Sequence, residues 1–338
     1  MSPKILVVVG ITGNQGGSVA NQFLPNPSWR LRALVRDPTK PSAQSWQEKG
    51  VDLVRGDLDD VESLKAAFAG AHAIFAMTDY WVPMSDERNI AKAKEQGISI
   101  NEFCYKLELQ RGKNMAVAAS TVSSLERYVY SALGHTTSLS KGKYPNVWHF
   151  DSKAEVERYI RQDPEMADLA KKSSFLHVGL YVDNWKKMSA LVPAFVKDKS
   201  SGKWYHPDMG DGNMKFPFVW TQKDTGVLFE ALLSAEPGKS LLGYSQSLTW
   251  REFMQIWAKC VGVELLDGGF KSIAYDEAFN TIQADNMKAH LADIIAYAAN
   301  LGYDGGDRSV VRPEELKIEN KLTPIEEYFK QEDWSSIL

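Results

Sequence analysis

Ile5-Leu6-Val7-Val8-Val9-Gly10-Ile11-Thr12-Gly13-Asn14-Gln15-Gly16-Gly17 is the stretch that decides the fold class. Its five leading apolar residues, mostly β-branched, read as a short strand buried on both faces. Glycines follow at once, and then a helical stretch runs to about Leu24. Strand, glycine turn and helix in that order form a cradle for the pyrophosphate of a dinucleotide. The glycines permit a tight turn and close approach of backbone to phosphate, and the first N–H groups of the helix point at the anion with partial positive charge. The spacing is GxxGxxG, for which a plain structural turn is the alternative reading. Its place after the first strand of an α/β pattern and before a helix favours the binding site. Gly10, Thr12, Gly13, Asn14, Gln15 and Gly16 are the candidate contacts.

Outward from this loop, apolar runs at Leu31 to Val35, Val51 to Arg55, Ala73 to Met77, Arg127 to Ser131 and Ser174 to Gly179 read as further strands, alternating with helical segments. Val61, Leu64 and Phe68 form an amphipathic helical stripe that closes on Gly70. The expected fold is α/β, a Rossmann-type doubly wound parallel sheet over residues 1–190. A smaller, mostly helical C-terminal lobe over 191–338 is expected to bind substrate, and return of some of its strands to the main sheet stays open. In that lobe Pro193, Pro207, Pro217 and Met209-Gly210-Asp211-Gly212-Asn213 break the rhythm. Thr249 and Gly262 bracket one more helix as N-cap and terminator.

Composition excludes several classes. With 338 residues, 44% of them hydrophobic and 24% charged, the chain is neither disordered nor membrane-embedded in character. A net charge of −4 supplies no basic field for nucleic acid, so direct nucleic-acid binding is not expected, nor is a membrane partner. Cys104 and Cys260 stand alone, without CxxC or Cys/His spacing, which indicates no metal site and no disulfide framework. Free thiols and the lack of a leader-like N-terminus point to the cytoplasm.

The choice of dinucleotide rests about twenty residues beyond the glycines, where a carboxylate would grip the ribose of NAD and an arginine would accept a 2′-phosphate. Arg36 stands there, at the tip of the second strand, with Lys40 near it. A bidentate guanidinium suits a phosphate dianion, so NADP(H) is the expected cofactor, against the alternative of a surface pair between Arg36 and Asp37.

The glycine loop, Arg36-Asp37-Pro38, Gly56-Asp57-Leu58-Asp59-Asp60 and Thr78-Asp79-Tyr80-Trp81 together resemble the NmrA-like family, a branch of the atypical short-chain dehydrogenases. That branch includes NADPH-sensing regulators and isoflavone-reductase-like enzymes. The similarity continues through Gln110-Arg111-Gly112-Lys113-Asn114, His149-Phe150-Asp151-Ser152-Lys153 and Tyr181-Val182-Asp183-Asn184, and fades after about residue 260. It implies cofactor contacts at Asp57 and Leu58 beside the adenine and at Thr78, Asp79 and Tyr80 over the ribose. Lys153, Tyr181, Val182, Asp183 and Asn184 would lie near the nicotinamide.

Short-chain dehydrogenases carry Tyr-x-x-x-Lys, one helical turn apart, and here the tyrosine position holds His149. Lys153, His149 and Tyr181 are the candidate catalytic residues. Each has a plainer reading: Lys153 as an i,i+4 partner of Glu157, His149 as a capping or surface residue, and Tyr181 as packing on the cofactor. Trp81, Trp148 and Trp185 flank the expected ligand-facing loops and suit a flat, bulky substrate, unless they pack the lobe interface; Trp204 and Trp220 could close the same pocket. Two functions follow. One is an NADPH-dependent oxidoreductase of secondary metabolism, reducing a C=O, C=N or conjugated C=C of an aromatic or alkaloid-like compound, with a coupled cyclisation within reach of a shaped pocket. The other is a non-catalytic NADP(H) sensor that regulates a protein partner.

Overall fold

The computed structural model describes residues 2–188, 193–279, 282 and 284–338, so the expected domain boundary at 190/191 lies outside the described residues. The central sheet has eight strands: β1 (Lys4–Val9), β2 (Trp29–Val35), β3 (Asp52–Arg55), β4 (Ala73–Ala76), β5 (Arg127–Ala132), β6 (Ser173–Val178), β11 (Ser240–Gly243) and β14 (Val310–Val311). Their order is β14-β11-β6-β5-β4-β1-β2-β3, and every neighbouring pair is parallel.

The apolar run in β1 is continuous because both faces of the sheet are covered. Leu6 and Val8 point into one core, together with Val19, Ala20 and Phe23 of α1 (Asn14–Phe23), Trp46 of α2 (Pro41–Gln47) and Leu228, Phe229 and Leu232 of α10 (Thr221–Ser234). Val7 and Val9 point into the other, beside Leu64 and Phe68 of α3 (Val61–Phe68), Met115 and Ala119 of α5 (Ile100–Ser120) and Val156 and Ile160 of α7 (Trp148–Gln162). This is the period-two alternation of a pleated strand, with both sides apolar. The expected helix cap near Gly70 falls one residue earlier, at Ala69, with Gly70 itself at φ +71°.

After β6 the chain builds a second layer. β7 (Leu180–Tyr181), β10 (Lys215–Val219) and β12 (Gln246–Thr249) form one three-stranded sheet, and β8 (Val196–Lys197), β9 (Trp204–Asp208) and β13 (Leu265–Ser272) form another. The lobe is therefore mixed where helix was expected to dominate, because Pro207 and Pro217, read as interruptions, lie inside β9 and β10. Around these sheets lie α11 (Trp250–Val261) and α14 (Ile325–Gln331), whose Phe253, Trp257 and Phe329 share a third core with Trp204 and Trp334. Thr249 caps α11 through a capping box with Glu252, and Gly262 ends it at φ +74°. The chain returns to the main sheet through α10, β11 and β14, and packs Ile294 of α13 (Asp285–Leu301) against Leu133, just past the end of β5, and Phe150 of α7. Short helices α4 (Glu87–Glu95), α6 (Thr136–Leu139), α8 (Ala167–Ala170), α9 (Trp185–Met188) and α12 (Tyr275–Ala278) fill the connections. No helix among the described residues is long and apolar enough to cross a membrane.

α1 and α10 cross at Gly226, where an added Cβ would lie 2.6 Å from the Ser18 carbonyl oxygen and 2.5 Å from Gln22 Cβ. Because the Ser18 backbone cannot yield, Gly226→Ala is expected to cost about 1–3 kcal/mol through overpacking. The urea midpoint of unfolding measures it; an unchanged midpoint would show that the two helices separate freely.

Candidate functional site

The glycine turn is built by backbone contact. Gly10 takes φ +76°, its carbonyl accepts the Gly13 N–H at 2.9 Å, and a Cβ on Gly16 would sit 2.3 Å from the Gly10 oxygen. A side chain at position 10 would also strike Met77 Sδ at 2.7 Å. Gly13 is the N-cap of α1 and gives it no side-chain cap, which leaves the first N–H groups of the helix for an outside acceptor. Thr12 and Gly13 are exposed, whereas Asn14 and Gln15 turn inward. Gln15 Nε2 donates to the Tyr181 hydroxyl at 2.6 Å, and Asn14 Nδ2 to Asp183 Oδ2 at 3.3 Å. The glycine loop is thus tied to the turn after β6. Burial pushes the Tyr181 phenol up to about 12. Asp183 is buried and also accepts from Gln222 at 2.7 Å; Val182 packs in the third core, and the Asn184 N–H closes the turn onto the Tyr181 carbonyl.

At the ends of β2 and β3, Arg36, Arg55, Gly56, Asp57, Asp60 and Ser63 line an open hollow. Among the described residues neither guanidinium is in an ion pair, so the Arg36–Asp37 surface pair does not form. Asp37 turns instead to the Thr39 N–H and hydroxyl, which hold its carboxyl below the ordinary range. Lys40 is exposed at the start of α2. Asp57 takes the Asp59 N–H, and the Leu58 carbonyl accepts from Asn114 at 2.8 Å. Arg55 was missed by sequence reading. Its signal is register: it ends β3 directly opposite Val35, one residue before Arg36.

Beyond β4, Lys153 Nζ donates to the carbonyl and hydroxyl of Thr78, both at 3.1 Å, and pairs with Glu108. Glu108 is almost completely enclosed and also accepts from the Ser152 hydroxyl; Thr78 in turn meets the Tyr130 hydroxyl at 2.9 Å. Lys153 has this partner rather than Glu157, which pairs with Arg161 and His177 instead. A lysine so held has a fixed ammonium at the strand ends with all three donors engaged, so a ribose hydroxyl would take over one of the two Thr78 contacts. Glu108 was also missed, although Cys104, Glu108, Gly112 and Met115 lie on the buried stripe of α5. A carboxylate at such a position needs a buried cation, and that is the legible signal.

One turn before Lys153, His149 stacks on His290 of α13 at 4.8 Å, with Trp81 4.9 Å away and Tyr80 at 5.9 Å. Tyr80 is buried, its hydroxyl donating to the Asn101 carbonyl. Asp79 receives the N–H groups of Trp81 and Val82 in a turn. Trp81 is 38% exposed at the mouth of this cluster. The other indoles scatter. Trp148 meets Tyr105 edge-on, Trp185 stacks on Trp334 inside the lobe, Trp204 packs on Trp257, and Trp220 packs on Tyr328. His290, 141 residues from His149, left no trace in any local pattern.

Burial holds His290 at about 4, and burial with the neighbouring His290 and Lys153 holds His149 well below the usual histidine value. An unfolded chain takes up these protons near the ordinary pKa of about 6.5 while the fold refuses them, so their stabilisation is complete above that value and is lost as pH falls toward about 4. Asp224, raised to about 6 by burial, works in the opposite sense. Relative to His290→Gln, the native chain should lose on the order of 2 kcal/mol between about pH 7 and about pH 5. Parallel denaturation curves for the two proteins at both pH values would refute this.

Known proteins share the fold and the family of this chain. The NmrA-like family domain-containing oxidoreductase cpsB of Aspergillus campestris is 29% identical over 268 residues, covering 77% of this chain and 74% of that protein. The similarly named FrzB of Cladobotryum sp. is 44% identical over 158 residues, 47% of this chain and 42% of its own. Among solved structures, NmrA, a negative transcriptional regulator, superposes with TM-score 0.73 at 18% identity over 97% of this chain and 95% of its own. It has also been solved with NAD and with NADP. Isoflavone reductase superposes with TM-score 0.67 at 17% identity, over 98% of this chain and 99% of its own. The resemblance does not fade near residue 260, because α14 packs on α11 and belongs to the same fold. The NmrA-like family model spans residues 2–329, and the chain belongs to that family.

Proposed function

We propose that this chain is an NADPH-dependent reductase that delivers hydride to a C=O, C=N or conjugated C=C of a bulky aromatic or alkaloid-like compound. The observation that carries this reading is a convergence. Strand order reverses between β1 and β4, and the glycine turn, Lys153 on Thr78 and the Trp81–His149–His290 cluster all gather at the loops that follow those two strands. Open α/β sheets bind ligands in the crevice at such a reversal.

The residues fit the dinucleotide. Gly10 and Gly16 make a turn that no Cβ could enter, α1 begins without a side-chain cap, and Arg36 and Arg55 present two guanidiniums outside any ion pair among the described residues. In the proposed complex the helix N–H groups hold the pyrophosphate, the arginines hold the 2′-phosphate, and Lys153 donates to the nicotinamide ribose. When bound, NADPH supplies the hydride. Thr78 and Glu108 keep the Lys153 ammonium from swinging away, and Trp81 with Tyr80 shields the reacting face from water. The free thiols, Cys104 buried and Cys260 half-buried, suit a reducing compartment such as the cytosol.

A second reading, an NADP(H) sensor acting on a protein partner, is favoured by one observation. His149 replaces the tyrosine of the short-chain dehydrogenases, and its Nδ1 is taken up by His290.

Arg36→Ala should weaken NADPH binding about tenfold and leave NADH within about twofold, since only the former carries the extra phosphate dianion. Equal weakening of both, by fluorescence titration, would place the 2′-phosphate elsewhere. For the reaction, NADPH absorbance should decay in the presence of aryl ketones, aryl enones or cyclic iminium salts. Saturable NADPH binding with no decay across that panel would leave the sensor.

A further inference from the structure

His149 Nδ1 lies 2.8 Å from His290 Nε2, and ring geometry alone does not say which nitrogen carries the proton. A backbone N–H, whose polarity is fixed, does say. Met287 N–H is shared between the Ala284 carbonyl and Asn286 Oδ1, each at 3.0 Å, and an amide nitrogen turned toward it at that distance would set donor against donor. Asn286 Nδ2 is then left to donate to Asn101 Oδ1 at 2.9 Å. That orients the Asn101 amide with its Nδ2 toward His290 Nδ1, at 3.4 Å. An amide nitrogen only donates, so His290 Nδ1 is the acceptor and the His290 proton sits on Nε2. Nε2–H donates in turn to His149 Nδ1, and His149 carries its own proton on Nε2. The His290 ring also meets the Asn146 backbone in a contact that favours a ring N–H. Were that contact made through Nδ1, its proton would face the Asn101 N–H across 3.4 Å.

The far end of this chain is unpartnered among the described residues: His149 Nε2 makes no hydrogen bond there, and the residue is half-buried. His149 precedes Lys153 by one turn of α7, so the two side chains leave the helix on one face. Its neighbours are Trp81, Tyr80, Phe150 and His290, an aromatic enclosure with Lys153 as the adjacent cation. A positive imidazolium is disfavoured there, and the ring is neutral.

We propose, resting on the reductase reading, that His149 presents a fixed, neutral Nε2–H to the substrate, that His290, Asn101 and Asn286 are positioning residues for this tautomer, and that the substrate class is a neutral ketone or enone. A carbonyl oxygen has lone pairs to accept the Nε2–H, and an iminium nitrogen has none. As hydride from NADPH forms the new C–H bond and the nicotinamide is oxidised, the π electrons of the carbonyl pass to oxygen. The Nε2–H stabilises that developing charge without leaving the ring, and water supplies the proton that completes the alcohol or enol.

The test uses the full chain with ¹⁵N-labelled histidine. Two-bond ¹H–¹⁵N correlations near neutral pH are expected to show His149 and His290 both neutral and both protonated on Nε2. Asn101→Asp places an acceptor at His290 Nδ1 and should reverse both rings to the Nδ1–H form. NADPH affinity should stay within about twofold, while kcat for an aryl methyl ketone falls about 100-fold with little change in KM. Should that variant not fold, Asn286→Asp gives the same reversal by turning the Asn101 amide over. A native His149 protonated on Nδ1, or on both nitrogens, overturns the relay. Faster reduction of an N-methyl dihydroisoquinolinium salt than of the aryl ketone overturns the substrate class. Failure of both probes to consume NADPH sinks the reductase reading and the substrate class with it, and the ring spectra decide the relay on their own.

Discussion

A carbonyl oxygen and the α-carbon of Gly16 are pressed together where β1 turns into α1, leaving no room for a single methyl group. That exclusion sets how near the helix start approaches the strand end, and most of the ligand-facing geometry is measured from it. Asn14 and Gln15, the next residues along, reach across to Asp183 and Tyr181 and so connect the first turn of the chain to the gateway of the second lobe. Gly226 of α10 meets the same helix with a contact almost as close. α1 is therefore pinned at both its mouth and its flank by residues without side chains.

A second constraint is electrostatic. Glu108 is enclosed in the core on α5 and would be costly there alone, so the Lys153 ammonium that neutralises it is held against Thr78. The lysine that faces the strand ends is thereby positioned from behind by a buried carboxylate. The Ser152 hydroxyl satisfies the second carboxylate oxygen, and Thr78 passes the contact to Tyr130 on β5. Structural and chemical duties fall on the same few atoms.

What the sequence made legible follows the range of the interactions. The glycine loop, the apolar strands and the capped α11 are local, and their residues stand in the order in which they act. Arg55 and Glu108 were recoverable in principle, the one from strand register and the other from a carboxylate on a buried helical stripe. β11 and β14 are short, four and two residues, and carry too little pattern to announce that the chain rejoins the sheet. His290 lay beyond reach, since its meeting with His149 depends on α13 docking beside α7, and no spacing within either segment encodes that docking. Trp185 shows the converse. Its neighbourhood in sequence suggested a ligand wall, and tertiary packing on Trp334 with a hydrogen bond to Tyr328 makes it part of the lobe interior.

The brevity of β14 has a consequence for the molecule in a crowded solution. The parallel sheet ends on one side in a strand of two residues followed at once by Arg312 and Pro313, and on the other in the four residues of β3. An invading chain would find few free ladder positions on either flank, and proline, which has no N–H, cuts the row off. The sheet is thus guarded against templated growth and aggregation by how little of each border it exposes.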